Sequence, residues 1–197
     1  MAKDLVYEAS AREKILSGSK KLSRTVAVTM GPQGKNVIIG KYVGAPVLTK
    51  DGVSVAREIV LEDPVEDLSC QLIKEAAGRT AAVAGDGTTT ATVLADEILK
   101  NGVDLLEGGY SPLLLKRGIE LGKDLLFKNL DIMKSDISSL EDLRNIATIS
   151  ANNDSELGSS IAEAFYKVDM EGTVVAQASP GIGSSVRVVD GIELKSG

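Results

Sequence analysis

The chain has 197 residues, 43% of them hydrophobic, which is enough apolar material for one sizeable core or for a core with a smaller companion. A balance of 28 acidic against 22 basic residues gives a formal charge of -6, and aromatics make up 3% with no Trp, which excludes a basic nucleic-acid surface and a base-stacking platform. The only cysteine, Cys70, excludes an intrachain disulfide framework, and the lack of histidine excludes His-based triads, proton shuttles and His-containing zinc sites. The start Met1-Ala2-Lys3-Asp4 carries no signal-peptide core, and no window approaches the ~18 apolar residues of a membrane span. A soluble, cytoplasmic chain with no membrane partner is expected.

Helix dominates the first two thirds. From Ser10 to about Met30, Ala11, Ile15, Ser19, Leu22 and Val26 fall on one helical stripe, and Gly31-Pro32 stops it. Val37-Ile38-Ile39 and Ala45-Pro46-Val47-Leu48 read as a small hairpin turning around Gly44, with Lys50-Asp51-Gly52 as a solvated turn at its exit. Glu62-Asp63-Pro64 opens a helix in which Val65, Leu68, Leu72, Ile73 and Ala76 recur at helical spacing. Cys70 within it reads as a small buried residue rather than a reactive thiol.

A further helix follows Gly87, with Ala91, Leu94, Ala95, Ile98 and Leu99 as its apolar face and Gly108-Gly109 as its end. Ser111 then caps a helix with Pro112 at its first position, running through Ile119, Leu125, Leu126 and Leu130, and the two-glycine break predicts that these long helices pack as antiparallel neighbours. Polar residues cluster from Met133 to Asp136, and a boundary is placed near residue 134. Ser138 and Glu141 have capping-box spacing for a helix to about Ile149, and another helix carries Leu157, Ile161, Phe165 and Val168 up to Gly172. Thr173–Ala176 and Val186–Val189 read as two strands around the loop Ser179–Gly183.

The chemistry concentrates in Gly85-Asp86-Gly87-Thr88-Thr89-Thr90-Ala91-Thr92-Val93. One carboxylate, two glycines and three hydroxyls at a helix start suit a metal-bound phosphate: the first turn offers unpaired N–H groups, Asp86 an oxygen ligand for Mg²⁺, and Thr88, Thr89 and Thr90 their hydroxyls. An ordinary turn and N-cap is the alternative from the same residues. Two other glycine loops are weaker. Gly31-Pro32-Gln33-Gly34-Lys35-Asn36 lacks the spacer and Lys-Ser/Thr pair of a P-loop, and Gly181-Ile182-Gly183 lacks the third glycine of a dinucleotide fingerprint.

Taken together the motifs are far more specific. Met30 to Val37, Gly44-Ala45-Pro46, Leu48 to Ile59 and Gly85 to Val93 stand in the order and spacing of group I chaperonins of the GroEL type, with further matches at Lys116 to Ile119, Thr148 to Asn152 and Val188 to Gly191. The chain closely resembles the N-terminal portion of such a chaperonin over essentially its whole length.

That resemblance implies a mainly α fold with small β elements. Residues 1–134 match the first segment of an equatorial ATP-binding domain, 135–190 the ascending part of an α+β intermediate domain, and 191–197 the start of an apical domain. It also implies an ATP-hydrolysing folding chaperone that works as a ring of like subunits, with Mg²⁺ and, as a further cation, K⁺. Thr29, Met30, Gly31 and Pro32 match the loop against the nucleotide, Lys50 a phosphate contact, and Asp86 the magnesium carboxylate. Gly87, Thr88, Thr89 and Thr90 match the phosphate cradle, Ile149 and Ser150 positions near the adenine, and Asp51 the carboxylate that orders the attacking water.

The departures limit what is expected of the chain alone. The family's further catalytic aspartate, the second equatorial segment and the apical surface for co-chaperonin and clients have no counterpart in these 197 residues. Gln177-Ala178-Ser179 replaces a usually acidic stretch and Lys195-Ser196 a usual Asp-Arg pair. Little or no turnover by the isolated chain is expected, and a non-catalytic nucleotide-binding or ring-assembly module is the alternative reading.

Overall fold

The computed structural model describes residues 4–41, 43–168, 172–177, 185–189 and 191. Among these residues there are seven helices and one two-stranded sheet. They fall into two compact units, Met1–Asp124 and Leu125–Gly197.

In the first unit, α1 (Glu8–Ala27) is followed by β1 (Val37–Ile39) and β2 (Val47–Thr49), then by α2 (Gly52–Glu58), α3 (Pro64–Ala84) and α4 (Thr88–Glu107). Helix α1 ends three residues earlier than its periodicity predicts, because Thr29 and Met30 donate to the carbonyls of Val26 and Ala27 and tighten the last turn. The strands form the expected antiparallel hairpin, with Val37 opposite Thr49 and Ile39 opposite Val47. The core gathers Leu22 and Val26 of α1, Val55 and Ala56 of α2, and Cys70 and Ile73 of α3, with Val37 and Ile39 packed against it.

Helix α2 stands where a solvated turn was expected. Asp51 is its N-cap, accepting from the amides of Val53 and Ser54. Helix α3 starts as predicted, with Asp63 capping and Pro64 at the first position.

The apolar stripes of α3 and α4 are only partly the faces that the unit buries: Ile73 enters the core and Ala95 packs against it, but the large side chains beside them do not. Leu68 and Leu72 are 64% and 68% exposed, and Leu94 and Ile98 are 55% and 53% exposed. Besides Ile73, helix α3 buries Ser69, Cys70 and Ala77, and α4 buries Thr88, Thr92, Asp96 and Val103. Small and hydroxyl-bearing residues let the helices approach closely: Gly18 of α1 lies so near the Glu66 carbonyl that an added Cβ would sit 2.1 Å from its oxygen. Two of the hydroxyls so buried find partners across the helices, Ser69 donating to the Ile15 carbonyl and Ser19 to Asp96.

Helix α5 (Pro112–Met133) begins at the predicted proline but buries no residue. The expected tight pairing with α4 is therefore absent; its first two turns bring Leu115 and Ile119 beside Leu94, Ile98 and Leu105 around an open groove. Periodicity marks a face as apolar without saying which neighbour covers it.

In the second unit, α6 (Leu140–Ser150) and α7 (Ser155–Val168) form a hairpin crossing at Gly158, which rests on the Thr148 backbone. The capping box is Ser139 with Asp142, one residue beyond the predicted pair of Ser138 and Glu141. Residues 173–177 and 185–189 carry no strand ladder, so the two predicted strands are not formed there; they lie beside Leu157, Ile161 and Ala164 of α7. The loop Ser179–Gly183 and residues 192–197 lie outside the described residues. No helix of the described chain is long and apolar enough to cross a membrane.

Candidate functional site

Three segments predicted from the sequence converge at the ends of α1, α2 and α4. The first is the turn after α1. Thr29 is buried, and its hydroxyl donates to the Val26 carbonyl at 2.8 Å. Met30, Gly31 and Pro32 are exposed beyond it. Gly31 takes φ 76, a left-handed conformation suited to glycine, and its carbonyl accepts from the Gly34 amide at 3.0 Å.

The second segment is the start of α2. Lys50 is half-buried and makes no ion pair among the described residues. The Asp51 carboxylate accepts from the Val53 amide at 3.1 Å, the Ser54 amide at 2.9 Å and the Ser54 hydroxyl at 2.6 Å. Burial alone would push its pKa up; the Ser54 and Val53 donors and the charge of Arg57 outweigh that and hold it below the usual range. Asp51 is therefore an anion at neutral pH.

The third segment is the turn between α3 and α4. Gly85 closes α3 at φ 74, and Gly87 opens α4 at φ 87, both in the left-handed region. Because Gly87 has no side chain, no cap covers the first amides of α4, which is the condition for receiving an anion there. Asp86 is exposed and accepts from the Gly87 amide at 2.6 Å, while Thr90 is also exposed. Thr88 is only 5% exposed, and its hydroxyl is buried without a partner.

Gly52 is where the three meet. It is buried, and a Cβ built on it would stand 2.1 Å from the Thr89 hydroxyl, 3.1 Å from the Thr29 hydroxyl and 3.2 Å from Val26. Thr29, the Asp51-Gly52 pair and Thr89, distant in sequence, thus share one point. Ile149 and Ser150 are the last residues of α6, both exposed, and belong to the second unit.

Ser54 and the contact role of Gly52 were missed by the motif reading. Their signal is the pattern Asp51-x-x-Ser54 ahead of Val55-Ala56-Arg57, which is a helix N-terminus as readily as a turn.

No group of three or more carboxylates or thiols able to hold a metal occurs among the described residues. A protein cage for a cation is thus absent there, whereas a lone carboxylate suits magnesium, which keeps waters and shares its coordination with phosphate oxygens. The uncapped α4 amides, the unpartnered Thr88 hydroxyl and the exposed Asp86 fit a metal-bound phosphate.

Comparison with known proteins is consistent with this arrangement. The sequence model of the TCP-1/cpn60 chaperonin family matches residues 22–197. Among solved structures, the chain is similar to a group III chaperonin in the open state, with TM-score 0.67 and 23% identity over 80% of this chain and 32% of that one. It is also similar to the chaperonin gp146 from the bacteriophage EL 2 (Pseudomonas aeruginosa), solved in the presence of ATP-BeFx, with TM-score 0.68 and 29% identity over 82% of this chain and 28% of that one. The chain spans about a third of the length of these structures.

Proposed function

Because the chain belongs to the TCP-1/cpn60 chaperonin family, we propose that the convergence at Gly52 is one wall of a Mg-ATP site and that the chain serves as part of an ATP-dependent folding chaperone. The contact of Gly52 with Thr29 and Thr89 carries this reading, since it assembles three separate phosphate-type motifs at one point. That gp146 was solved in the presence of ATP-BeFx lends it support.

Each residue then has a task set by its chemistry. The free amides at the start of α4 and the hydroxyls of Thr88, Thr89 and Thr90 bind phosphate oxygens, and the Lys50 ammonium adds a positive charge. Asp86 holds magnesium, which when bound neutralises the charge of the triphosphate. Asp51, kept ionised, orients a water for in-line attack. Thr29 to Pro32 form the loop against the nucleotide, and Ile149 and Ser150 are assigned to the adenine side by resemblance.

Ring assembly with like subunits, a cytoplasmic setting, and client or co-chaperonin binding through further segments belong to the whole protein and are proposed on family grounds. Hydrolysis is slow and positional in this scheme, with neither histidine nor an arginine finger assigned to it.

Isothermal titration of the chain with Mg-ATP tests the site. Binding is expected with wild type, and its loss, at least tenfold in affinity, with Asp86→Ala. Affinity unchanged in Asp86→Ala, or equal with and without magnesium, would sink the assignment.

A further inference from the structure

The two oxygens of Asp51 are not equivalent. Oδ2 accepts from the Ser54 amide at 2.9 Å and again from the Ser54 hydroxyl at 2.6 Å, whereas Oδ1 accepts only from the Val53 amide at 3.1 Å. A carboxylate oxygen offers two lone pairs, so Oδ2 is filled and Oδ1 keeps one acceptor site. An N-cap is served by backbone amides alone. The Ser54 hydroxyl is a third donor that capping does not require, and it is the shortest of the three.

We propose that Ser54 is a positioning residue for Asp51: its hydroxyl occupies Oδ2 and fixes the carboxylate plane, leaving Oδ1 as the single oxygen able to take a bond from a water. The assignment rests on the reading of Asp51 as the water-orienting group of a nucleotide site. It makes the geometry of that group depend on one hydroxyl, three residues along the same helix. Arg57, two turns along α2, is the charged side chain acting on Asp51, and it contributes through its field without a hydrogen bond.

The test uses the full chain with ¹³C-labelled aspartate. The Asp51 carboxyl is followed by NMR against pH in wild type, Ser54→Ala and Ser54→Thr, and Mg-ATP affinity is measured on the same samples. Wild-type Asp51 is expected to titrate below the ordinary aspartate range. In Ser54→Ala the midpoint moves to higher pH, Ser54→Thr restores it, and Mg-ATP affinity changes less than about twofold because Asp51 does not hold the metal.

An unmoved midpoint in Ser54→Ala, or no restoration by Ser54→Thr, overturns the proposal. Should Ser54→Ala fail to fold, the wild-type titration decides: an Asp51 that titrates at or above the ordinary aspartate value overturns it equally. A Ser54-dependent midpoint in a chain that binds no Mg-ATP supports the clamp on Asp51 and removes the nucleotide reading alone.

Discussion

Gly52 shows how much a missing side chain can decide. It sits at the first position of α2, buried between Thr29 and Thr89, where any Cβ would meet the Thr89 hydroxyl at 2.1 Å. Gly52→Ala must therefore turn the Thr89 hydroxyl aside or push α2 away from the start of α4. The expected cost is about 1–3 kcal/mol of stability, read as a lower denaturation midpoint, together with weaker Mg-ATP binding. Combining it with Thr89→Ala removes the clashing atom, so the double variant should recover part of the lost stability. Additive losses would show that the two residues do not share the contact. At this scale the sequence was informative about the chemistry and silent about the meeting point. Asp86, Gly87 and Thr88 to Thr90 were legible as a helix start, because glycine is the residue that readily takes the positive φ found at helix ends and hydroxyl residues favour helix N-termini. That Thr29 and Thr89 meet at Gly52 is a tertiary fact with no signal in local pattern.

Among the elements, the docking of α1 on α3 is a polar seam laid over a close crossing. Lys14 pairs with Asp63 at 2.5 Å, Ser17 donates to Glu66 at 2.7 Å, and Lys21 pairs with Glu66. The Lys21 and Ser17 bonds depress the pKa of Glu66, and the Lys14 bond, helped by the Glu66 and Val65 amides, depresses that of Asp63. A depressed carboxyl binds fewer protons folded than unfolded, so its stabilisation is present above the ordinary carboxylate range. It is lost as pH falls through the folded values. Urea midpoints measured from pH 6 down to pH 3 should decline, and Glu66→Gln should flatten part of that decline. An identical slope in the variant would mean that Glu66 contributes nothing to it.

The helices themselves were legible from caps and prolines: Asp63-Pro64, Ser111-Pro112 and Gly108 each mark a real end. Their buried faces were misread. The rule that leucines face inward fails for α3 and α4, where the inward positions are Ser69, Ala77, Thr92 and Asp96. Closeness there comes from small residues and from hydrogen bonds that satisfy them, and a count of apolar side chains cannot detect it. Helix α2 was missed for a different reason: seven residues with valines at alternate positions give no helical period to read.

For the molecule as a whole, the consequence of burying small and hydroxyl-bearing positions on α3 and α4 is a surface on which leucine and isoleucine side chains stand exposed. Leu68, Leu72, Leu94 and Ile98 are each more than half exposed, and α5 adds Leu121 and Leu125 at 71% and 64%. Exposed leucine and isoleucine side chains in this number promote association when left bare. The chain should enhance the fluorescence of 8-anilinonaphthalene-1-sulfonate while retaining a cooperative thermal transition, and paired Leu94→Gln and Ile98→Gln substitutions should reduce the signal without lowering the midpoint. A lowered midpoint would show that these side chains belong to the core after all.

The unpartnered hydroxyl of Thr88 has a consequence of another kind. An oxygen taken from water and given nothing in return leaves the native state above the energy its packing would otherwise reach, by about 1–3 kcal/mol. That deficit resides in one atom, at the opening turn of a 20-residue helix. Any occupant that offers this oxygen a partner recovers the deficit as affinity, without further ordering of the chain. Thr88→Val, which keeps the shape and removes the hydroxyl, should therefore leave the thermal midpoint unchanged or raise it, and a lowered midpoint would show that the oxygen has a partner.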